Sequence, residues 1–146
     1  MVTKRSYKKE NKNIKIMIIE DDLDILLLYK DYLNNKGFSV LATSTTANEA
    51  LKDYENFYPN IIILDYNLPG KTNGLEASRQ ILKKYPKVPI IIVTAFDIVK
   101  NELSQDQFFT DKNIILLLKP IKLNILESNI KNLLIKKSNN KQDVLF

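Results

Sequence analysis

The sequence contains no cysteine and no histidine. Without thiols there are no disulfides, no thiolate metal centres and no cysteine nucleophile. Without imidazole there is no histidine acid–base catalysis, no usual zinc site and no histidine in the chain to relay a phosphoryl group. Glycine is scarce, with three in all, and none follows the first apolar run, which excludes a glycine-rich phosphate-binding turn of the dinucleotide or P-loop kind there. Long apolar runs are missing as well. None approaches the ~18 residues that a membrane span requires, and residues 1–13 are polar and lysine-rich with no apolar signal region. A cytoplasmic chain with no membrane span is expected.

What is present describes one globular domain. Of 146 residues, 45% are apolar and 27% charged, and a chain of this length buries roughly two thirds of its unfolded surface. The net charge of +5 sits at the ends: residues 1–13 hold five basic side chains and one acidic, residues 136–146 hold three and one, and the stretch between holds 14 and 15. The expected organisation is a basic flexible tail over 1–13, a folded domain over 14–135, and a polar tail over 136–146 too short for an output domain. No helix-turn-helix pattern or cluster of stacking aromatics is visible, so no specific nucleic-acid binding is expected.

Five short Ile-, Leu- and Val-rich runs, at 14–19, 38–42, 61–64, 88–93 and 114–118, read as strands covered on both faces. Helical segments fall between them. One covers 23–36 and stops before Gly37. A second opens on Thr46-Ala47-Asn48-Glu49, a capping-box spacing, and reaches about residue 58. The others cover 75–85, 98–109 and 123–135. The alternation predicts an α/β fold, a doubly wound five-stranded parallel sheet with five helices, whose ligand site lies beyond the carboxyl ends of the strands.

Those strand ends carry the polar chemistry of the chain. They hold Glu20, Asp21 and Asp22 after the first strand, Asp65 after the third, Thr94 and Ala95 after the fourth, and Lys119 and Pro120 after the fifth. Carboxylates gathered at one edge repel each other unless a cation compensates, and oxygen ligands without His or Cys favour Mg²⁺. A carboxylate beside Mg²⁺, an ammonium and a hydroxyl is equipped to accept a phosphoryl group, because such transfers need mainly positioning and charge neutralisation.

Four segments together resemble the response-regulator receiver domain of two-component signalling. They are Ile16-Met17-Ile18-Ile19-Glu20-Asp21-Asp22, Ile61-Ile62-Ile63-Leu64-Asp65-Tyr66-Asn67-Leu68-Pro69-Gly70, Ile91-Ile92-Val93-Thr94-Ala95 and Leu117-Leu118-Lys119-Pro120. The likeness covers about 14–135 and is to the single-domain, chemotaxis-regulator-like kind. It implies a flavodoxin-like strand order 2-1-3-4-5 and a phosphoacceptor, Asp65, that forms an aspartyl phosphate. It also implies Mg²⁺ held by Asp65, by Asp21 directly, by Glu20 through a water and by the backbone carbonyl of Asn67. Thr94 and Lys119 would contact the phosphoryl oxygens, and the bond before Pro120 would be cis. The donor would be a sensor histidine kinase or phosphotransfer protein, and the output a contact surface on the fourth and fifth helices and the fifth strand for a downstream protein target that the sequence does not identify. Such a chain is not an enzyme in the usual sense but a phosphoacceptor that assists its own phosphorylation and dephosphorylation.

The sequence departs from that family in places. Leu116 stands where receivers often carry Tyr or Phe, the loop through Gly70-Lys71-Thr72-Asn73 is about one residue longer, and Phe108 and Phe109 fall in a long segment in which at least one of them should enter the core. Other readings stay open. Asp22 and Asp24 suit a helix N-terminus, and the Thr94 hydroxyl suits a cap on the fourth helix. Asp22-Leu23-Asp24 imitates the nucleophile motif of haloacid-dehalogenase-like phosphatases, although Glu127 and Asp143, the acidic residues beyond Pro120, are too far apart to supply that class's second metal-holding pair. A receiver-like interaction module that works without phosphorylation is the remaining alternative.

Overall fold

The structure, a computed structural model, describes residues 11, 13–44 and 46–144. Residues 1–10 and 12 of the expected basic tail, and 145–146 of the expected polar tail, lie outside the described residues.

Strands and helices alternate along the chain: β1 (Lys15–Ile19), α1 (Leu23–Asn35), β2 (Ser39–Ser44), α2 (Ala50–Phe57), β3 (Ile61–Asp65), α3 (Gly74–Lys84), β4 (Ile90–Thr94), α4 (Ile98–Gln105), a 3₁₀ turn (Gln107–Phe109), β5 (Ile114–Leu118) and α5 (Leu123–Val144). All strand pairs are parallel and the order is β2-β1-β3-β4-β5. This is the doubly wound sheet that the apolar runs predict, in the flavodoxin-like order that the resemblance implies.

Alternate side chains of a strand point to opposite faces, and the unbroken apolar runs serve two cores at once. Ile16, Ile18, Ile61, Ile63, Ile91 and Val93 pack with Leu26, Tyr29 and Leu33 of α1 and Leu126, Ile130 and Leu133 of α5. Met17, Ile19, Ile62, Leu64, Ile90 and Ile92 pack with Ala50 and Tyr54 of α2, Ile81 and Leu82 of α3, and Phe109. Each central strand is therefore apolar on both sides, and packing on both faces fixes the direction in which the residues after each strand leave the sheet.

Local signals set the helix ends. The Asp22 carboxylate caps α1 by accepting the Asp24 and Ile25 N–H groups at 3.0 and 3.3 Å. At the other end Gly37, at φ 95°, donates its N–H to the Asn34 carbonyl, and Phe38 donates to that of Leu33. That pair of bonds is the Schellman closure that a left-handed glycine permits.

Three helix boundaries shift by more than one residue. α2 starts at Ala50 rather than within 46–49, with Glu49 in the cap position and no side-chain bond from it, and Ala47 just before it is fully buried in the core. α4 stops at Gln105 rather than reaching 109, since the Asp106 carboxylate accepts the Phe108 N–H at 3.0 Å and bonds Arg79 of α3, turning Phe109 inward. Phe109 thus fills the core position expected of one of the two phenylalanines. The α5 backbone runs to Val144 instead of ending at 135, and residues 136–144 contain neither Pro nor Gly to stop it. Among the described residues no helix is long and apolar enough to cross a membrane.

Candidate functional site

Register explains why the polar strand ends converge. β1 pairs Ile19 with Leu64, so the next residues, Glu20 and Asp65, emerge side by side. β4 pairs Val93 with both Asp65 and Leu117, which sets Asp65 and Lys119 about the end of β4. Glu20, Asp65 and Lys119 also continue the alternation that turns Ile18, Ile63 and Leu117 toward α1 and α5. All three therefore leave the sheet on one face at one edge.

The contacts follow from that placement. Lys119 Nζ donates to Asp65 Oδ2 at 2.9 Å and to Glu20 Oε2 at 3.2 Å. The Asn67 N–H donates to Asp65 Oδ1 at 3.0 Å, and the Asp22 N–H donates to Glu20 Oε1 at 3.2 Å. Asp65 and Glu20 are 7% and 2% exposed, while Asp21 is exposed. The peptide bond between Lys119 and Pro120 is cis.

Glu20, Asp21 and Asp65 each offer a carboxylate oxygen, all within 4.8 Å of one another. One ammonium, that of Lys119, bridges two of these three carboxylates. Burial, and then the neighbouring Asp65 charge, push the Glu20 carboxyl up to about 7 despite the Asp22 N–H and Lys119. Burial pulls the Lys119 ammonium down, but the Asp65 and Glu20 carboxylates overcome it and hold the group above its ordinary value. An all-oxygen donor set with surplus negative charge fits a hard divalent cation and does not fit a soft one.

Thr94 is fully buried at the end of β4. Its hydroxyl accepts the Phe96 N–H at 3.2 Å, and its carbonyl accepts the Lys119 N–H at 2.8 Å, which fixes the backbone from which Lys119 reaches the cluster. It does not cap α4, whose cap position is Asp97. Asn67 is exposed and meets Asp65 through its backbone N–H. Asp22 is committed to capping α1, and Asp24 lies exposed in the first turn. Neither joins the carboxylate cluster, so the Asp22-Leu23-Asp24 phosphatase reading loses its nucleophile. Lys71 is exposed, and Leu116 is half-buried against the core of the α2 and α3 side.

Two positions escape the sequence reading. Gly74, the first residue of α3, lies against the end of β3: a Cβ there would stand 2.3 Å from the Asp65 carbonyl oxygen and 2.9 Å from the Tyr66 Cα. The neighbouring signal was legible, because Asn73 and Glu76 stand at N-cap and N3 spacing, and the Asn73 side chain does accept the Glu76 N–H at 2.9 Å. The close approach itself has no local signature. The second position is Tyr66, whose hydroxyl donates to Glu102 of α4 at 3.0 Å.

The Glu20 shift has a sign that can be measured. Its carboxyl titrates near 7 in the fold against 4.5 ordinarily, so between those values the folded state binds the extra proton. The stability this contributes is complete below about 4.5 and is lost as pH rises through about 7. In EDTA, wild-type thermal midpoints should fall between pH 5 and pH 8 (roughly the span of that titration) relative to those of Glu20→Gln. A parallel pair of curves contradicts the assignment.

Residues 16–131 match the family model described as response regulator receiver domain. The protein-glutamate methylesterase/protein-glutamine glutaminase 2 of Paramagnetospirillum magneticum is 38% identical over 94 residues, which are 64% of this chain and 26% of that protein. The chain thus spans about a quarter of that relative's length. The chemotaxis protein CheY of Listeria monocytogenes is 32% identical over 82 residues, 56% of this chain and 68% of that one. Among solved structures, a CheY-like response regulator receiver domain protein from Methanospirillum hungatei is 28% identical with a TM-score of 0.75, covering 87% of this chain and 98% of its own.

Proposed function

Because the chain belongs to the response regulator receiver domain family of two-component systems, we propose that it is an aspartyl-phosphate switch in which Asp65 accepts a phosphoryl group from the phosphohistidine of a sensor kinase or phosphotransfer protein. The observation that carries this reading is the Asp65 carboxylate itself: nearly buried, held by Lys119 at 2.9 Å and by the Asn67 N–H at 3.0 Å, with Glu20 and Asp21 oxygens beside it.

In the step proposed, an Asp65 oxygen attacks phosphorus, the new O–P bond forms as the N–P bond breaks, and the electron pair of that bond returns to the imidazole, which leaves neutral when its other nitrogen carries a proton. Lys119 holds the nucleophile before transfer and moves its donors onto phosphoryl oxygens after it. Thr94 offers its hydroxyl to the same oxygens once it turns from the Phe96 N–H. Glu20, Asp21 and Asp65, with the Asn67 carbonyl, would hold a Mg²⁺ ion whose charge would offset that of the transferring group. Residues 14–135 make up the switch, working in the cytoplasm, and its output is a contact with a downstream protein.

The test is mass. Incubated with acetyl phosphate or phosphoramidate, the protein should gain one phosphoryl group, located at residue 65 by fragmentation, in Mg²⁺ and not in EDTA. No gain with either donor, in protein that binds Mg²⁺, would favour the phosphorylation-independent module, for which the half-buried Leu116 is the supporting feature.

A further inference from the structure

Asp65 and Tyr66 leave β3 toward opposite faces of the sheet. Asp65 joins the carboxylates on the α1 and α5 side, whereas the Tyr66 ring packs into the other core, whose partly buried members include Leu103 of α4 and Leu116 of β5. Tyr66 is also tied at every polar group. Its N–H donates to the Val93 carbonyl at 3.3 Å and its carbonyl accepts the Gly74 N–H at 2.8 Å. Its hydroxyl donates to Glu102 Oε2 at 3.0 Å and receives the Asn73 side-chain amide at 3.4 Å. One residue, bonded directly to Asp65, thus touches β4, the start of α3 and the middle of α4.

α4 has few other fastenings. It is eight residues long, has no side-chain cap, and buries Val99 alone. Among the described residues, the Tyr66–Glu102 bond is the side-chain hydrogen bond that ties α4 to another element. Tyr66 and Asn67 share a peptide unit, and the Asn67 N–H is one of the donors holding the Asp65 carboxylate. A phosphoryl group on that carboxylate brings three acceptor oxygens and, because an acyl phosphate of about −2 replaces a carboxylate of −1, adds roughly one negative charge. The Asn67 N–H and Lys119 must then be shared among more acceptors, and the 66–67 peptide must adjust. A hydrogen bond at the far end of a phenol ring tolerates little adjustment, since it weakens steeply beyond about 3.5 Å or off line.

We propose that the Tyr66–Glu102 hydrogen bond is a latch that holds α4 on the β3–α3 loop while Asp65 is unmodified and opens when Asp65 is phosphorylated. Tyr66 acts as a positioning residue for α4, coupling the two faces of the sheet through a single side chain. The inference rests on Asp65 being the phosphoacceptor. It places the coupling on a residue adjacent to the modified one, without a role for position 116.

Hydrogen exchange of residues 98–105, with intact mass on the same samples, tests this in wild type, Tyr66→Phe and Glu102→Ala, each with and without acetyl phosphate and Mg²⁺. Glu102 is exposed, so its truncation leaves the core intact and serves where Tyr66→Phe perturbs the fold. Unmodified variants should exchange about tenfold faster than wild type over this helix, the loss of one hydrogen bond to a charged group. Phosphorylation should accelerate the wild type similarly and the variants by less than about twofold, because the bond it would break is already absent. A wild type that gains a phosphoryl group with unchanged exchange at 98–105, or variants that respond as fully as wild type, would overturn the latch and leave the phosphoacceptor standing. A wild type that gains none, whatever the variants' exchange, would overturn both.

Discussion

Asp65→Asn should abolish phosphoryl uptake, with labelling from acetyl phosphate falling by at least about 10³-fold, because an amide oxygen is a poor nucleophile and the group removed is the reacting one. The fold should survive. Asn keeps the shape of Asp and one oxygen acceptor, so it retains a bond to Lys119 or to the Asn67 N–H and loses the other, at a cost of about 1–3 kcal/mol. Offsetting this, the change removes the charge that, after burial, does most to push the Glu20 carboxyl up. Metal-free stability should therefore change by no more than about 1–2 kcal/mol, and the fall in stability between acidic and neutral pH should flatten. Intact mass reads the first effect and urea unfolding in EDTA the others. Residual labelling at wild-type level would show that another side chain accepts the group.

Gly74→Ala should be strongly destabilising although it adds a single methyl group. In an ordinary helix this change stabilises by up to about 1 kcal/mol, since Ala is the better helix former. Here the sign reverses. The new Cβ would lie 2.3 Å from the Asp65 carbonyl oxygen, 3.0 Å from its carbonyl carbon and 2.9 Å from the Tyr66 Cα. These are backbone atoms, so no rotamer change relieves the clash, and either α3 or the end of β3 must move. A destabilisation of about 2–4 kcal/mol is expected, at the upper end for overpacking. The displaced residues carry the proposed phosphoacceptor and latch, so uptake by whatever protein remains folded should fall as well. Chemical denaturation with phosphoryl labelling checks both, and a variant as stable as wild type would mean that α3 shifts freely on the sheet.

The parts of the molecule that were legible in the sequence share a physical property: their signal is local. Apolar runs of four to six residues separated by amphipathic ones specify strands and helices wherever they sit, and five such runs appear as five strands. Glycine at 37 ends α1 in the left-handed turn its position suggests. The acidic pair, Asp65, Thr94 and Lys119 follow apolar runs, and parallel strands necessarily carry such followers to one edge. Two helix boundaries coincide with tertiary contacts that local sequence does not announce: Ala47, ahead of α2, is buried in the core, and Asp106, at the end of α4, bonds Arg79 on another helix.

By itself, then, the sequence determined the doubly wound architecture and the residues that stand at its functional edge, since periodicity and order along the chain are sufficient for both. Only the tertiary structure decided which of those residues touch: that Lys119 lies between Asp65 and Glu20, that Gly74 must lack a side chain, and that Tyr66 reaches Glu102. Such contacts depend on strand register and helix docking to within about an ångström, a precision that close packing imposes only once the whole chain is folded.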